Sequence, residues 1–247
     1  MTNKRVVVTG ASSGIGAAAV RALRQTGWDV VAVARREDRL KDLAEETGAR
    51  VIACDVTDRE SVDAMAQTVL ADGGVDAIVN NAGGAFGMDP VATGNPEDWV
   101  RMYNVNVLGA LNVTQAFLPA LRKNGEGSIL MLTSTAALAA YEGGAGYCAA
   151  KAGEEALTQA LRLEEAQHNV RVIEILPGMV KTEEFSLNRL GDPAAAEKIY
   201  AGVAKPLTAG DVADVMAYAL NAPHHVNLDQ VVIRPVAQAA QHKVIRR

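Results

Sequence analysis

The chain has 247 residues, 49% hydrophobic but only 4% aromatic, and 24 Lys and Arg against 29 Asp and Glu give a formal charge of −5. That is enough apolar material for one sizeable α/β core, with no basic block of the kind that grips nucleic acid or an anionic membrane. Cys54 and Cys148 stand in unrelated contexts, which excludes a disulfide framework and a metal-spaced cysteine set.

In chain order, strand-length apolar runs alternate with longer amphipathic segments. Strands are predicted at 5–9, 29–34, 50–54, 75–80, 127–133, 171–176 and 229–235, and helices at 15–26, 37–47, 59–71, 96–122, 147–167 and 211–220. Several runs are apolar at consecutive positions, as strands covered on both faces require. Gly27 and Gly48 read as helix stops, and Asn95-Pro96 as an N-cap followed by proline in the first turn. The alternation predicts right-handed crossovers and a doubly wound parallel sheet in one domain over 1–247. Only 177–210 breaks the rhythm. Its stretch 183–205 reads either as a flap over a site or as an ordinary connection. The opening MTNKRVVVTG lacks a signal-peptide stretch, and no run of about eighteen apolar residues occurs, so a soluble cytoplasmic protein is expected.

The first strand empties into "VVVTGASSGIG". Gly10, Gly14 and Gly16 would let backbone approach a bound group closely, and the N–H groups of Ser12, Ser13 and Ile15 at the helix start would attract a pyrophosphate. The spacing is G-x-x-x-G-x-G, and a tight strand-to-helix turn without a ligand would also account for it. Its place in the first βα turn favours a dinucleotide. The second strand ends on "VVAVARRED". An acid there would bind the adenosine ribose 2′-hydroxyl. Ala34 instead leaves that place uncharged, and Arg35 and Arg36 offer charge-assisted donors to a 2′-phosphate. The expected cofactor is therefore NADP(H), with Arg35 the principal phosphate contact and Arg36 along the adenine. Alternatively, Arg36 merely opens a solvated helix beside Glu37 and Asp38.

In "YCAAK" Tyr147 and Lys151 stand four apart, on one helical face. An ammonium within about 4–6 Å lowers an acid's pKa by roughly 1–3 units, so such a phenol could exchange protons with a carbonyl oxygen. The pair alone recurs by chance on protein surfaces. Its weight comes from Ser134 and from "NNAG" (80–83), each at the carboxyl end of a predicted strand, where open α/β sheets bind ligands.

Taken together, "TGASSGIG", "DV" (55–56), "NNAG", Asn106 in "NVNVLG", Ser134, "YCAAK" and "PG" (177–178) resemble, in order and spacing, the short-chain dehydrogenase/reductase family across essentially the whole chain. The resemblance implies a seven-stranded Rossmann-type αβα fold and an Asn106–Ser134–Tyr147–Lys151 tetrad. Ser134 would orient the carbonyl, Tyr147 act as acid and base, Lys151 bind the nicotinamide ribose, and Asn106 hold a water linking Lys151 to solvent. Asp55 and Val56 would flank the adenine, with Asn81, Ala82 and Gly83 along the ribose. Pro177, Gly178, Val180 and Thr182 would meet the carboxamide end. Each also has a plainer reading: Asn106 as a mid-helix polar residue, Ser134 and Asp55 as caps. A narrower resemblance, in "RRED-RL", "PGMVKTEEFS" and "APHHVNLDQVVIRPVAQ", is to the branch of NADP-dependent 3-hydroxy acid dehydrogenases acting on serine or allo-threonine. The chain departs from that branch at Thr182-Glu183-Glu184-Phe185.

The expected activity is interconversion of an alcohol and its carbonyl, with a small 3-hydroxy acid as one substrate class. The alternatives are a reductase of a larger aldehyde or ketone in secondary metabolism, or a non-catalytic NADP(H) sensor. Arg189 would either pair with a substrate carboxylate or be a solvated surface residue. Cys148 points about 100° from Tyr147 around the helix and reads as packing. His224 and His225, without further ligands, read as surface residues, and no metal is expected. The basic end "QHKVIRR" would be a frayed tail or an arm on another subunit. The family's habit implies a homodimer or homotetramer, with the 147–167 helix as one candidate interface.

Overall fold

The computed structural model describes residues 4–247. Seven strands form one parallel sheet: β1 (Arg5–Thr9), β2 (Asp29–Ala34), β3 (Arg50–Ala53), β4 (Ala77–Asn80), β5 (Ser128–Leu132), β6 (Arg171–Pro177) and a last strand at Val231–Ile233, β9 once two short strands are counted. Their spatial order is β3-β2-β1-β4-β5-β6-β9, so the chain reverses direction beside β1 and opens a crevice at the strands' carboxyl ends.

Consecutive apolar residues serve opposite faces, because successive side chains of a strand alternate. Val6, Val8, Val30, Ala32, Leu130 and Ile173 pack under α1 (Gly14–Gln25), α2 (Glu37–Thr47) and the helix Ala209–Asn221. Val7, Val31, Val33, Ile78, Ile129 and Val172 pack under α3 (Arg59–Ala71) and two helices after β4. Phe117 is fully buried in that second layer, worth roughly 1.5–3 kcal/mol of transfer free energy. The predicted stops hold: Gly27 and Gly48 follow α1 and α2 with φ of 92° and 67°. Asn95 caps Pro96–Tyr103 (α4), accepting from Glu97 N.

The predicted helix 96–122 is broken. Between α4 and α5 (Gly109–Asn124) lies a wide π turn at Asn104–Leu108. Inside it, Asn106 Nδ2 donates to Met102 O at 2.7 Å, inserting a side chain into the backbone ladder. Such widened turns gather at functional sites. After β5 come α6 (Thr135–Leu138) and α7 (Ala145–Glu165). The irregular stretch holds β7 (Val180–Lys181), α8 (Phe185–Leu190), α9 (Pro193–Lys198) and β8 (Leu207–Thr208), then α10 (Ala209–Asn221). Beyond β9, the antiparallel hairpin β10 (Gln238–Ala240) and β11 (Lys243–Val244) completes the described chain.

Candidate active site

The carboxyl ends of β1 and β4 are joined by one hydroxyl. Thr9 Oγ1 donates to Val79 O at 3.1 Å and accepts from the backbone N of Asn81 and of Ala82, each at 3.0 Å. The Asn81 side chain turns into the same seam and donates to Thr9 O and Gly10 O, so its backbone, not its amide, faces the cleft. Gly16 packs so tightly that a Cβ there would overlap Gly10 O and lie 2.5 Å from Asn81 Nδ2. The glycine thus seats α1 against the strands.

Ser13 occupies the N-cap of α1 without a side-chain capping bond. Both its hydroxyl and that of Ser12 accept from Arg36 at 3.0 Å. The start of α1 therefore opens into the cleft uncapped, with a guanidinium beside it. That donor set suits a phosphate. Arg36 also grips Glu184 with two 2.8 Å bonds, which hold the Glu184 carboxyl below its usual range. The neighbours of Arg36 are thus the loop serines and a flap acid, not a helix-face partner at Glu37 or Asp38. Arg35 is more exposed and stands 3.9 Å from Asp55. Asp55 does cap its turn, accepting from Thr57 N and Oγ1. Burial works against its charge, but those bonds and Arg35 bring its pKa below the ordinary value. Val56 is buried under Gly109.

Ser134, Tyr147 and Lys151 line the other end of the crevice, with Asn106 fully buried behind them. Tyr147 is 8% exposed, its ring edge-on to Phe185 at 5.8 Å. Lys151 Nζ lies 6.0 Å from that ring's centroid and donates to Leu132 O at 3.0 Å and Glu154 Oε2 at 2.6 Å. Two of the ammonium's three N–H bonds are thus spoken for. Asn106 Oδ1 accepts from Gly84 N, and Nδ2 donates to Gly84 O. A Cβ on Gly83 would sit 2.5 Å from Asn106 Oδ1 and 3.5 Å from Lys151 Nζ, so glycine lets the two polar groups converge. Ser134 caps α6, accepting from Ala136 N, and donates weakly to Pro177 O at 3.4 Å.

Beyond Pro177 and Gly178 the wall is built from the flap. Thr182 lies against Gly14 and accepts from Phe185 N. Val180 pairs with Leu207. Arg189, expected on the surface in one of two readings, is 9% exposed instead. It donates to Gly87 O, Tyr141 Oη and Gly143 O, and its guanidinium carbon is 5.8 Å from the Tyr147 ring centroid. The basic end is no frayed tail either. It folds back on this chain's own flap, Arg246 donating to Ile199 O and Ala201 O and Arg247 N to Gly202 O. Gln238, from the same end, accepts from Met179 N at 2.7 Å.

Sequence reasoning did not single out Thr9, Glu154 or Gln238. Thr9 directly preceded the glycine loop, and Glu154 lay one turn beyond Lys151. Gln238 closed the stretch APHHVNLDQVVIRPVAQ but was given no role of its own. Cys54 and Cys148 are buried free thiols, pushed up by burial. Among the described residues no His, Cys, Asp and Glu cluster could hold a metal, and no helix is long and apolar enough to cross a membrane. The glycine loop, Arg35, Arg36, Ser134, Tyr147, Lys151 and the flap residues Val180, Thr182, Glu184 and Arg189 line one cleft of about 1250 Å³, with Asn106 buried behind its wall. That exceeds the roughly 300–1,000 Å³ of ordinary ligand pockets and suits a dinucleotide beside a small substrate.

Residues 4–190 match the family model described as short chain dehydrogenase. The chain is 52% identical over 241 residues to an uncharacterized oxidoreductase of Mycobacterium tuberculosis, covering 97% of this chain and 94% of that one. It is 38% identical over 240 residues to sulfoacetaldehyde reductase 2 of Chromohalobacter salexigens, covering 95% of each. Among solved structures it is similar to the closed form of serine dehydrogenase complexed with NADP+, with a TM-score of 0.93, 35% identity, and coverage of 98% of this chain and 99% of that one.

Proposed function

The chain belongs to the short-chain dehydrogenase family, and from that premise we propose an NADP(H)-dependent alcohol dehydrogenase or carbonyl reductase whose substrate is short and anionic, of the 3-hydroxy acid kind. The uncapped start of α1 would take the pyrophosphate, with Arg35 and Arg36 on the ribose phosphate and Asp55 and Val56 beside the adenine. When bound, the nicotinamide supplies or accepts the hydride. Tyr147 gives its proton to the carbonyl oxygen in reduction and takes one from the hydroxyl in oxidation. Lys151 turns its remaining N–H to the ribose and favours the phenolate by its charge. Ser134 exchanges its weak bond to Pro177 for one to the substrate oxygen, and Asn106 holds the polar path behind Lys151. A homodimer or homotetramer belongs to the same proposal, supported by the exposed apolar Val100, Tyr103 and Leu108 along α4 and the π turn.

One observation carries the substrate class. Arg189 is buried beside Tyr147 with neutral oxygens as partners and no ion-pair partner among the described residues. An uncompensated buried cation is costly, and a substrate carboxylate or sulfonate would complete it. The relatives named for serine and sulfoacetaldehyde both handle molecules with such a group. NADPH consumption and NADP+ reduction across matched anionic and neutral substrates provide the test. Arg189→Ala should raise KM for the anionic members by more than about tenfold, as expected for a lost charge-assisted bond of roughly 1.5–3 kcal/mol, and affect the neutral ones far less, through the loosened flap alone. An equal effect on both rejects the anion site.

A further inference from the structure

One buried acid next to this machinery has no part in the roles above. Tyr147, Lys151 and Glu154 follow one another at spacings of four and three along α7, which places them on one stripe of the helix. Glu154 is 1% exposed, and its Oε2 lies 2.6 Å from Lys151 Nζ. Together with Leu132 O at 3.0 Å, it fixes two of the ammonium's hydrogens and so aims the third.

We propose that Glu154 is a positioning residue of the acid–base pair, orienting Lys151 and setting, through its own charge, how strongly the ammonium acts on Tyr147. The inference rests on the roles given to Tyr147 and Lys151 above. With Glu154 ionised, the buried pair is neutral and the pull of Lys151 on the phenolate is largely offset. With Glu154 protonated, the full positive charge is felt. Burial pushes the Glu154 carboxyl up to about 7, against the attraction of Lys151. Burial likewise disfavours the Lys151 ammonium, yet Glu154, Tyr147 and Glu174 hold its pKa above the ordinary value.

The charged groups facing Tyr147, Lys151 and Glu154 are few: from α8, the buried Arg189 stands 5.8 Å from the Tyr147 ring centroid and is present in wild type and variant alike. From β6 comes Glu174, fully buried and held by Thr133 Oγ1 at 2.8 Å and Gln230 Nε2 at 2.9 Å; Glu155 and Arg162 bear on Glu174. The π turn presents the uncharged Asn106. A purely structural ion pair would predict a loss of stability or rate without any change in pH dependence.

The test is the pH profile of kcat/KM for alcohol oxidation in the wild type and in Glu154→Gln, which keeps the shape and removes the charge. The acidic limb should move to lower pH by about one and a half units, the size of a charge interaction across roughly 8 Å at an effective dielectric near 20. An unmoved limb, or one moved upward, overturns the proposal. If the glutamine protein does not fold, the same profile is measured in Glu154→Leu, where a downward shift supports the proposal and any other course overturns it. Wild-type protein without turnover on any substrate would sink the functional reading instead, so the two failures are separable.

Discussion

The nucleotide half of the crevice and the substrate half are built by different means. The first, from β1 to β4, is held by backbone: sheet register, a helix seated through Gly16, and one threonine hydroxyl joining two strand ends. The second is held by side chains reaching across long stretches of sequence. Arg189 ties the flap to the loops at Gly87 and Gly143, Arg36 ties it to the glycine loop, and Arg246 ties it to the C-terminal hairpin. Backbone rigidity suits a ligand that is always the same. Side-chain clamps can be retuned one residue at a time, which suits the part that chooses a substrate.

Substitutions can break this contrast, the largest effect falling where the halves meet. Tyr147→Phe should lower kcat/KM by about a thousandfold while nucleotide affinity, measured by fluorescence titration, stays within about threefold. Next, Arg35→Ala and Arg36→Ala should each weaken NADPH about ten- to a hundredfold with little change for NADH, the value of a charge-assisted bond. Equal losses for both nucleotides would remove the ribose phosphate from the scheme. On the flap, Arg246→Ala should raise substrate KM a few-fold and leave NADPH affinity untouched. The smallest effect sharpens the picture at Glu154. A carboxyl titrating near 7 in the folded protein and about 4.3 when unfolded binds the extra proton only in the fold. Stability therefore falls as pH rises between those values. Urea midpoints should show that decline in the wild type and a flatter course in Glu154→Gln.

The same contrast governs what could be read from sequence. All seven sheet strands lie within about two residues of their predicted spans; the inner five are buried on both faces and so write themselves as apolar runs, while the half-exposed edge strands β3 and β9 were read from shorter ones. Ser134 follows β5 and Tyr147 and Lys151 share one face of α7, as strand ends and helical spacing led one to expect, whereas Asn106 was named only through the family resemblance and sits in the π turn. The π turn was invisible, since the 96–122 segment keeps a helical pattern and only the Asn106 side chain, seeking Met102 O and Gly84, widens it. Burial of Arg189 was invisible too. Its partners are Gly87, Tyr141 and Gly143, none of them near it in the chain, and a lone arginine in an irregular stretch carries no periodicity. The fold-back of Arg246 onto Ile199 and Ala201 is illegible for the same reason.

The grip of Glu184 on Arg36 has a consequence for the sequence of events. A ribose phosphate that takes both Nη atoms of Arg36 must evict a carboxylate already seated there. On the proposed function, loading would then exchange one anion for another and free the leading edge of the flap from Arg36.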